Sequence, residues 1–389
     1  MHLVRTAGPG VITGGADNDP AGIATYSSVG AAFGYSMLWL LLLALPLLIS
    51  VQTMSARLSS VTKLGLAQLI RNEFGSWVAI AAGLIVAGAN IATIGADLVA
   101  MAATLQLLTH IKLIWFIVPL VTVMGYVTIF QNFKTIQRIM LWLLLVFLAY
   151  VASAFLAHPK WGTVLMQTVI PPIHVDVSYL TEAVALLGTT ITPYLMFWQA
   201  GGEREERRGV ARLGDTYIDI VAGMMMSCAI AGFTIIATGA TLFQHHQTVN
   251  TAAQAASALR PVAGPASTII FSVGILGSGL VAIPILAVST GYVIAGTFGW
   301  RMGLGREAFR APGFYGIIVL SLLAGVELAI SGFSPIKALI YSQVLNGVVA
   351  PPLFLLIVIM VSRRRLMGRY VSGIWERIGQ CGCPGHVWR

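Results

Sequence analysis

Long apolar runs separated by short polar segments set the pattern of this chain. They fall at about 8–32, 35–57, 76–108, 113–130, 139–157, 180–200, 216–243, 265–298, 314–332 and 335–361. A hydrocarbon core about 30 Å thick takes roughly 20 apolar residues in helical form, so each run predicts one membrane-spanning helix, and the ten runs predict ten. Several runs exceed what a straight span needs, which permits tilt or a bend. Polar segments of more than ten residues occur only near 158–179, 201–215 and 244–264, and no Pro/Gly-rich linker divides the chain. The expected organisation is one all-α membrane domain over 1–361 and a basic cytoplasmic tail over 362–389. An internal echo runs through the domain. Proline interrupts the first run at Asp19-Pro20 and the sixth at Thr192-Pro193, so the two prolines stand 173 residues, or five runs, apart. Five is odd, and the second half must therefore enter the membrane with the opposite orientation. This predicts two inverted five-helix repeats, about 8–157 and 180–361, with broken first and sixth helices, an architecture shared by many secondary transporters.

Composition sharpens this picture. Of 389 residues, 57% are hydrophobic and 10% charged, against about 25% charged in an ordinary soluble domain, which excludes a soluble enzyme. No catalytic cluster or sizeable soluble domain points to a membrane enzyme or receptor either. The first run lacks a cleavable signal pattern, because Asp17, Asn18 and Asp19 interrupt it, so the amino terminus is expected to be retained. The net charge of +9 is not a nucleic-acid signature here, since the basic residues fall between apolar runs. With both termini in the cytoplasm, 19 of the 23 Lys and Arg residues lie inside, and Lys112, Lys160, Arg260 and Lys337 lie outside, as the positive-inside rule requires. A multi-pass protein of the cell membrane follows, surrounded by lipid, with a monomer compatible with the sequence and the oligomeric state left open by it. Of three cysteines, Cys228 sits within an apolar run as a small hydrophobe. Cys381 and Cys383 with His386 fall short of the four ligands of a zinc site, and the expected state is an unstructured tail.

Candidate chemistry concentrates at the two breaks. Around Asp17, Asn18, Asp19 and Pro20, proline removes a backbone donor while Gly14, Gly15 and Gly22 tolerate non-helical angles, so the helix should unwind. Unwound backbone at membrane depth is tolerated only where it is buried or lines an aqueous cavity, and an intramembrane carboxylate costs at least about 2.5–3.5 kcal/mol. Free carbonyls with an aspartate form an oxygen cage for a hard cation and repel an anion. The plainer reading has Asp19 capping the second half-helix; two carboxylates two residues apart exceed what a cap needs. In the sixth run, Thr189, Thr190 and Thr192 offer hydroxyls or unwound carbonyls around Pro193, with bonding to their own i−4 carbonyls as the alternative. Asn90, Asp97, Asp219, Glu327, Gln343 and Asn346 also lie at membrane depth, where polar side chains commonly hold helices together. Met224 to Met226 point to different faces and read as core packing. The mixed charges of 201–214 read as a solvated face.

Further residues carry a family resemblance. Gly8-Pro9-Gly10 ahead of Asp19-Pro20, then Phe33-Gly34-Tyr35-Ser36-Met37-Leu38-Trp39 and Gln52-Thr53-Met54-Ser55-Ala56-Arg57-Leu58, resemble the natural resistance-associated macrophage protein (Nramp) divalent-metal transporters. Gly274 to Leu280, Ser342-Gln343-Val344 and Arg365 to Gly368 extend the likeness over nearly the whole chain. The resemblance implies the leucine-transporter-type fold, with metal held between the first and sixth unwound helices. Its departures are informative. The family's Asp-Pro-Gly-Asn is here Asp19-Pro20-Ala21-Gly22, so the aspartate carries over and the asparagine does not. Its Met-Pro-His is here Thr192-Pro193-Tyr194, Gln199 lies where a second histidine usually sits, and the ninth-span arginine pair linked to proton transfer has no counterpart in Tyr315 to Gly332. These changes resemble the Nramp-related magnesium branch. Where the family continues into an eleventh helix, this chain has a polar stretch.

The expected function is alternating-access transport of a divalent cation, Mg²⁺ with Mn²⁺ also carried, without proton coupling and without any resident cofactor. The expected ligands are the Asp19 carboxylate, the Thr189 or Thr192 carbonyl, and Gln343 once the site closes, with Asp17 and Gly22 as further candidates. Losing the methionine sulfur removes a preference for softer ions, and Gly22 leaves room for an ion that keeps several waters. The rivals are a proton-coupled Mn²⁺/Fe²⁺ importer, an organic-cation or amino-acid transporter on the same fold, and a channel. Paired broken helices argue against the channel, since they imply a closed midplane site.

Overall fold

A computed structural model describes residues 9–130, 151–205, 209–246, 249, 254–255, 264, 267–304, 308–332 and 334–371. Most of the fifth run, most of the 244–264 loop, Arg207, Arg208, and the tail with Cys381, Cys383 and His386 lie outside the described residues.

The first run forms two helices, α1 (Pro9–Ala16) and α2 (Pro20–Phe33). The last helical bond of α1 runs from Asp17 N–H to the Thr13 carbonyl. Asp19 then takes extended backbone angles as the cap of α2, with Pro20 in the first turn, where its missing N–H costs nothing. After α3 (Leu38–Thr62) comes the short α4 (Leu66–Phe74), then α5 (Ser76–Thr109) and α6 (Ile114–Phe130). Residues 151–156 are helical, and α7 (Trp161–Val169) follows. The second half repeats the plan with α8 (Val177–Thr190), α9 (Pro193–Glu205), α10 (Leu213–Thr241), α11 (Ser267–Phe298), α12 (Pro312–Ile330) and α13 (Pro335–Ser362). Between α8 and α9 only Ile191 and Thr192 are non-helical.

Among the described residues, seven stretches are long and apolar enough to cross a membrane, one of them 177–205 counted across its break. Two further runs appear as the broken α1–α2 and the 17-residue α6, which is shorter than a full span. Two helices lie in segments read from sequence as loops. In α4, Leu66, Ala67, Leu69 and Ile70 are buried while Arg71 and Glu73 are not, an amphipathic stripe too short to register against the longer runs.

The interfaces obey the five-run offset. The α1–α2 pair packs on α10, and correspondingly the α8–α9 pair packs on α3; α5 and α11, third members of their repeats, form the most extensive interface. Contact between α1 and α10 depends on glycine, since a Cβ at Gly14 would collide with the Gly223 carbonyl and one at Gly223 with that of Gly10. Cys228 packs beside Leu48, Ala56, Ile220 and Met224. Of the three methionines Met224 is buried and Met226 half-buried, while Met225 faces outward, so the core-packing reading fails for Met225 because consecutive helical residues point to different faces. The solvated reading of 201–214 is corrected at its start. Glu203 is 1% exposed, accepting from Gln199 at 3.2 Å and Thr216 at 3.4 Å, and Glu205 accepts from the Tyr292 hydroxyl at 3.0 Å and Leu304 N–H at 2.9 Å.

Candidate metal site

At the first break the chain presents the N-terminal end of α2, where unpaired N–H groups attract negative charge. Two carboxylates answer it. Asp19 Oδ1 accepts from Gly22 N–H at 2.5 Å, and Asp97 Oδ1, arriving from α5, accepts from Ala21 N–H at 3.1 Å. The capping reading of Asp19 is therefore right for one oxygen only. Asp19 Oδ2 and Asp97 Oδ2 are buried with no hydrogen-bond partner.

Asp17 is held from another side. Its Oδ2 accepts from the Ser227 hydroxyl of α10 at 2.5 Å, while Oδ1 has no partner. Asn18 donates to the Gly14 carbonyl and to Ser227, each at 3.1 Å, which leaves its own carbonyl oxygen unpaired. The Tyr194 hydroxyl, from the first turn of α9, donates to the Ala16 carbonyl at 2.9 Å and ties the two breaks together.

Gly22 lets the two breaks approach closely. A Cβ placed there would lie 2.8 Å from Thr189 Oγ1, 3.1 Å from Asp19 Oδ1 and 3.2 Å from the Asp17 carbonyl oxygen. Three oxygens from α8, the cap and the unwound segment thus pack around this glycine more tightly than a side chain would allow. The Thr189 hydroxyl makes no hydrogen bond, although the Tyr26 hydroxyl faces it, and the buried Thr192 hydroxyl is likewise unpaired. Buried polar atoms in native proteins are overwhelmingly partnered, so this concentration calls for a ligand.

The expected residues are brought together to different degrees. Asp19, Asp17, Gly22 and Thr189 converge. Thr192 lies in the second break, two residues before Tyr194. Gln343 touches this region through its backbone, which abuts Gly188; its side chain accepts from Asn346 at 3.0 Å and keeps an unpaired Nε2. Asp97 and Ser227 complete the cluster and escaped selection from sequence, Asp97 because only tertiary packing carries α5 to the break, Ser227 because a lone serine in an apolar run carries no signal. Other polar groups hold helices. Asn90 donates to Thr290 at 3.0 Å, Asn346 to Thr93 at 3.2 Å, and Asp219 accepts from Gly10 and Val11 N–H at 2.9 and 3.3 Å, capping α1. Gln199 accepts from Thr13 at 2.8 Å. Glu327 is exposed near the end of α12. Among the described residues no three His, Cys, Asp or Glu side chains converge on one point, so a bound ion would draw on hydroxyls and carbonyls as well as carboxylate.

A cavity of about 510 Å³ comes within one residue of Asp19, running from Pro20 and Ala24 past Ala100 and Thr104 to His110. Its other walls include Phe271, Ile275 and Leu339, from α11 and α13.

Comparison with known proteins agrees with this arrangement. The divalent metal cation transporter MntH of Acidiphilium cryptum is 28% identical over 376 residues, covering 93% of this chain and 83% of the relative. A manganese transporter of Eremococcus coleocola superposes with a TM-score of 0.77 at 18% identity, covering 97% of this chain and 83% of that one. Mhp1, a nucleobase-cation-symport-1 family transporter in a closed conformation, superposes at 0.62 with 14% identity, covering 97% and 82%. These likenesses establish the leucine-transporter-type fold of a multi-pass membrane protein. The family described as natural resistance-associated macrophage protein-like matches residues 10–383, and with the broken helices and their shared oxygen cluster in place, the chain belongs to that family.

Proposed function

We propose that this chain moves divalent cations across the cell membrane by alternating access, with Mg²⁺ preferred, Mn²⁺ also carried and no proton coupled. The observation that carries this reading is the group of unpartnered buried oxygens at the break, Asp19 Oδ2, Asp17 Oδ1, Asp97 Oδ2 and Thr189 Oγ1. All are hard donors, suited to a hard cation, and none of them is the thioether or imidazole that favours softer ions. The relatives named as divalent metal cation and manganese transporters support a metal as cargo. The fold alone does not, because Mhp1 shares it, and substrate class must be argued from the site. Three carboxylates around one break disfavour an amino acid, whose own carboxylate they would repel.

Preference for magnesium rests on Gly22. Where the family places an asparagine, this chain has no side chain, so a bound ion loses one protein ligand and can keep a water in its place, as an ion that dehydrates reluctantly prefers. The absence of coupling is supported by the groups this chain lacks: Tyr194 and Gln199 stand where the family has histidines, and α12 carries no arginine pair. Close packing of α5 on α12, where a Cβ at Gly95 would lie 2.9 Å from Leu328 Cβ and 3.0 Å from the Gly325 carbonyl, also leaves little room for water at that seam.

Purified protein in liposomes containing a pH-sensitive dye tests both parts. Uptake of Mg²⁺ and Mn²⁺ without internal acidification is expected. Robust Mn²⁺ uptake beside no Mg²⁺ uptake refutes the selectivity, and metal-driven acidification refutes the uncoupled mechanism.

A further inference from the structure

A fourth carboxylate, half-buried and away from the break, also has an oxygen without a partner. Glu182 of α8 accepts the Ser28 hydroxyl of α2 at 2.9 Å on Oε1, while Oε2 is buried with no partner. It lines a cavity of about 480 Å³ together with Ser28 and Ala32 of α2 and with Ser334, Lys337 and Ile340 at the start of α13. Ile336 belongs to the walls of both this cavity and the one that reaches Pro20. Glu182 also precedes Thr189 by seven residues on the same helix, about 10 Å along its axis. The two cavities thus adjoin, and both sit on the face of the membrane where α2 ends and α8 and α13 begin.

One hydroxyl does not offset the burial of a carboxylate within a membrane domain. Lys337 lines the same cavity, yet it is exposed at the rim and leaves Oε2 unpaired. The volume is informative: at about 30 Å³ per water, a divalent ion with six waters needs roughly 200 Å³, which this cavity exceeds. The hydroxyls of Ser28 and Ser334 stand where they can hydrogen-bond such waters. A station on a conduction path must also release what it binds. A single carboxylate opposed by a nearby ammonium meets that requirement.

We propose that Glu182 is an outer docking site for a hydrated divalent cation approaching Asp19, and that Lys337 sets its affinity low. The proposal rests on the reading of the chain as a cation transporter, but its test does not need turnover. Asp19→Asn protein in detergent, with the central carboxylate removed, is titrated with Mn²⁺ and free ion is followed by electron paramagnetic resonance. One weak site is expected to remain, to disappear in Asp19→Asn/Glu182→Gln and to tighten about fivefold in Asp19→Asn/Lys337→Gln. Residual binding that is absent, or equal in all three proteins, overturns the proposal. In liposomes, Glu182→Gln alone should raise KM for Mn²⁺ uptake about fivefold with the maximal rate within twofold, and Lys337→Gln should lower KM. KM values unchanged in both variants overturn it as well. Failure of the transport reading would show separately, as wild-type protein that takes up no metal.

Discussion

At the scale of single residues, Asp19 has two jobs that substitution separates. One oxygen caps α2 and the other is buried without a partner. Asparagine keeps an oxygen for the Gly22 N–H while removing the charge, so Asp19→Asn should fold and elute like wild type but lose Mg²⁺ uptake by at least about a hundredfold. A residual rate near wild type would exclude a charged ligand. Gly22 makes the complementary case. Gly22→Asn inserts a side chain whose Cβ would lie 2.8 Å from Thr189 Oγ1, so that hydroxyl must turn aside. It crowds out water and adds a ligand, and should raise the ratio of Mn²⁺ to Mg²⁺ uptake about tenfold. An unchanged ratio measured in the same liposomes would place selectivity elsewhere.

At the scale of elements, α1 is eight residues long, too short to be a stable helix alone, and its position depends on α10. Asp219 takes the first two N–H groups of α1, glycines close the interface, and Thr13 holds Gln199 of α9. Asp219→Ala should cost about 1–2 kcal/mol, as a lost cap does, and expose this end of the molecule. A lower melting temperature together with faster alkylation of a cysteine placed at Val11 is expected; a change in neither would mean that α1 is held by packing alone. The breaks themselves were legible in the sequence, because Pro20 and Pro193 and their small neighbours act on the backbone locally. Run lengths likewise disclosed the long spans. Asp97, Ser227 and Glu182 were not legible as site groups, since each gains its meaning from a helix distant in sequence. The short α4 and α7 were missed for a different reason, as nine-residue amphipathic turns carry little hydropathy signal.

For the whole molecule, the 19-to-4 division of Lys and Arg predicts both termini in the cytoplasm. Single cysteines at Val175, 82% exposed, and at exposed Arg212 should label from outside and inside respectively in intact cells. Reversed labelling would invert the topology and place the cavities of Asp19 and Glu182 on the cytoplasmic face. The close seam of Gly95 against Gly325 bears on energetics if the proposed absence of coupling holds. A carrier with no co-transported ion has only the concentration gradient and the membrane voltage to draw on. Each elementary charge is worth about 2.3 kcal/mol per 100 mV, so a doubly charged ion gains about 4.6 kcal/mol on entering a cell held at that potential, inside negative. At about 1.4 kcal/mol per tenfold, accumulation stops near a 2,000-fold excess inside. Abundant magnesium reaches equilibrium long before that ceiling matters, whereas a scarce metal would press against it, and a depolarised cell would let its store leak back through the same protein.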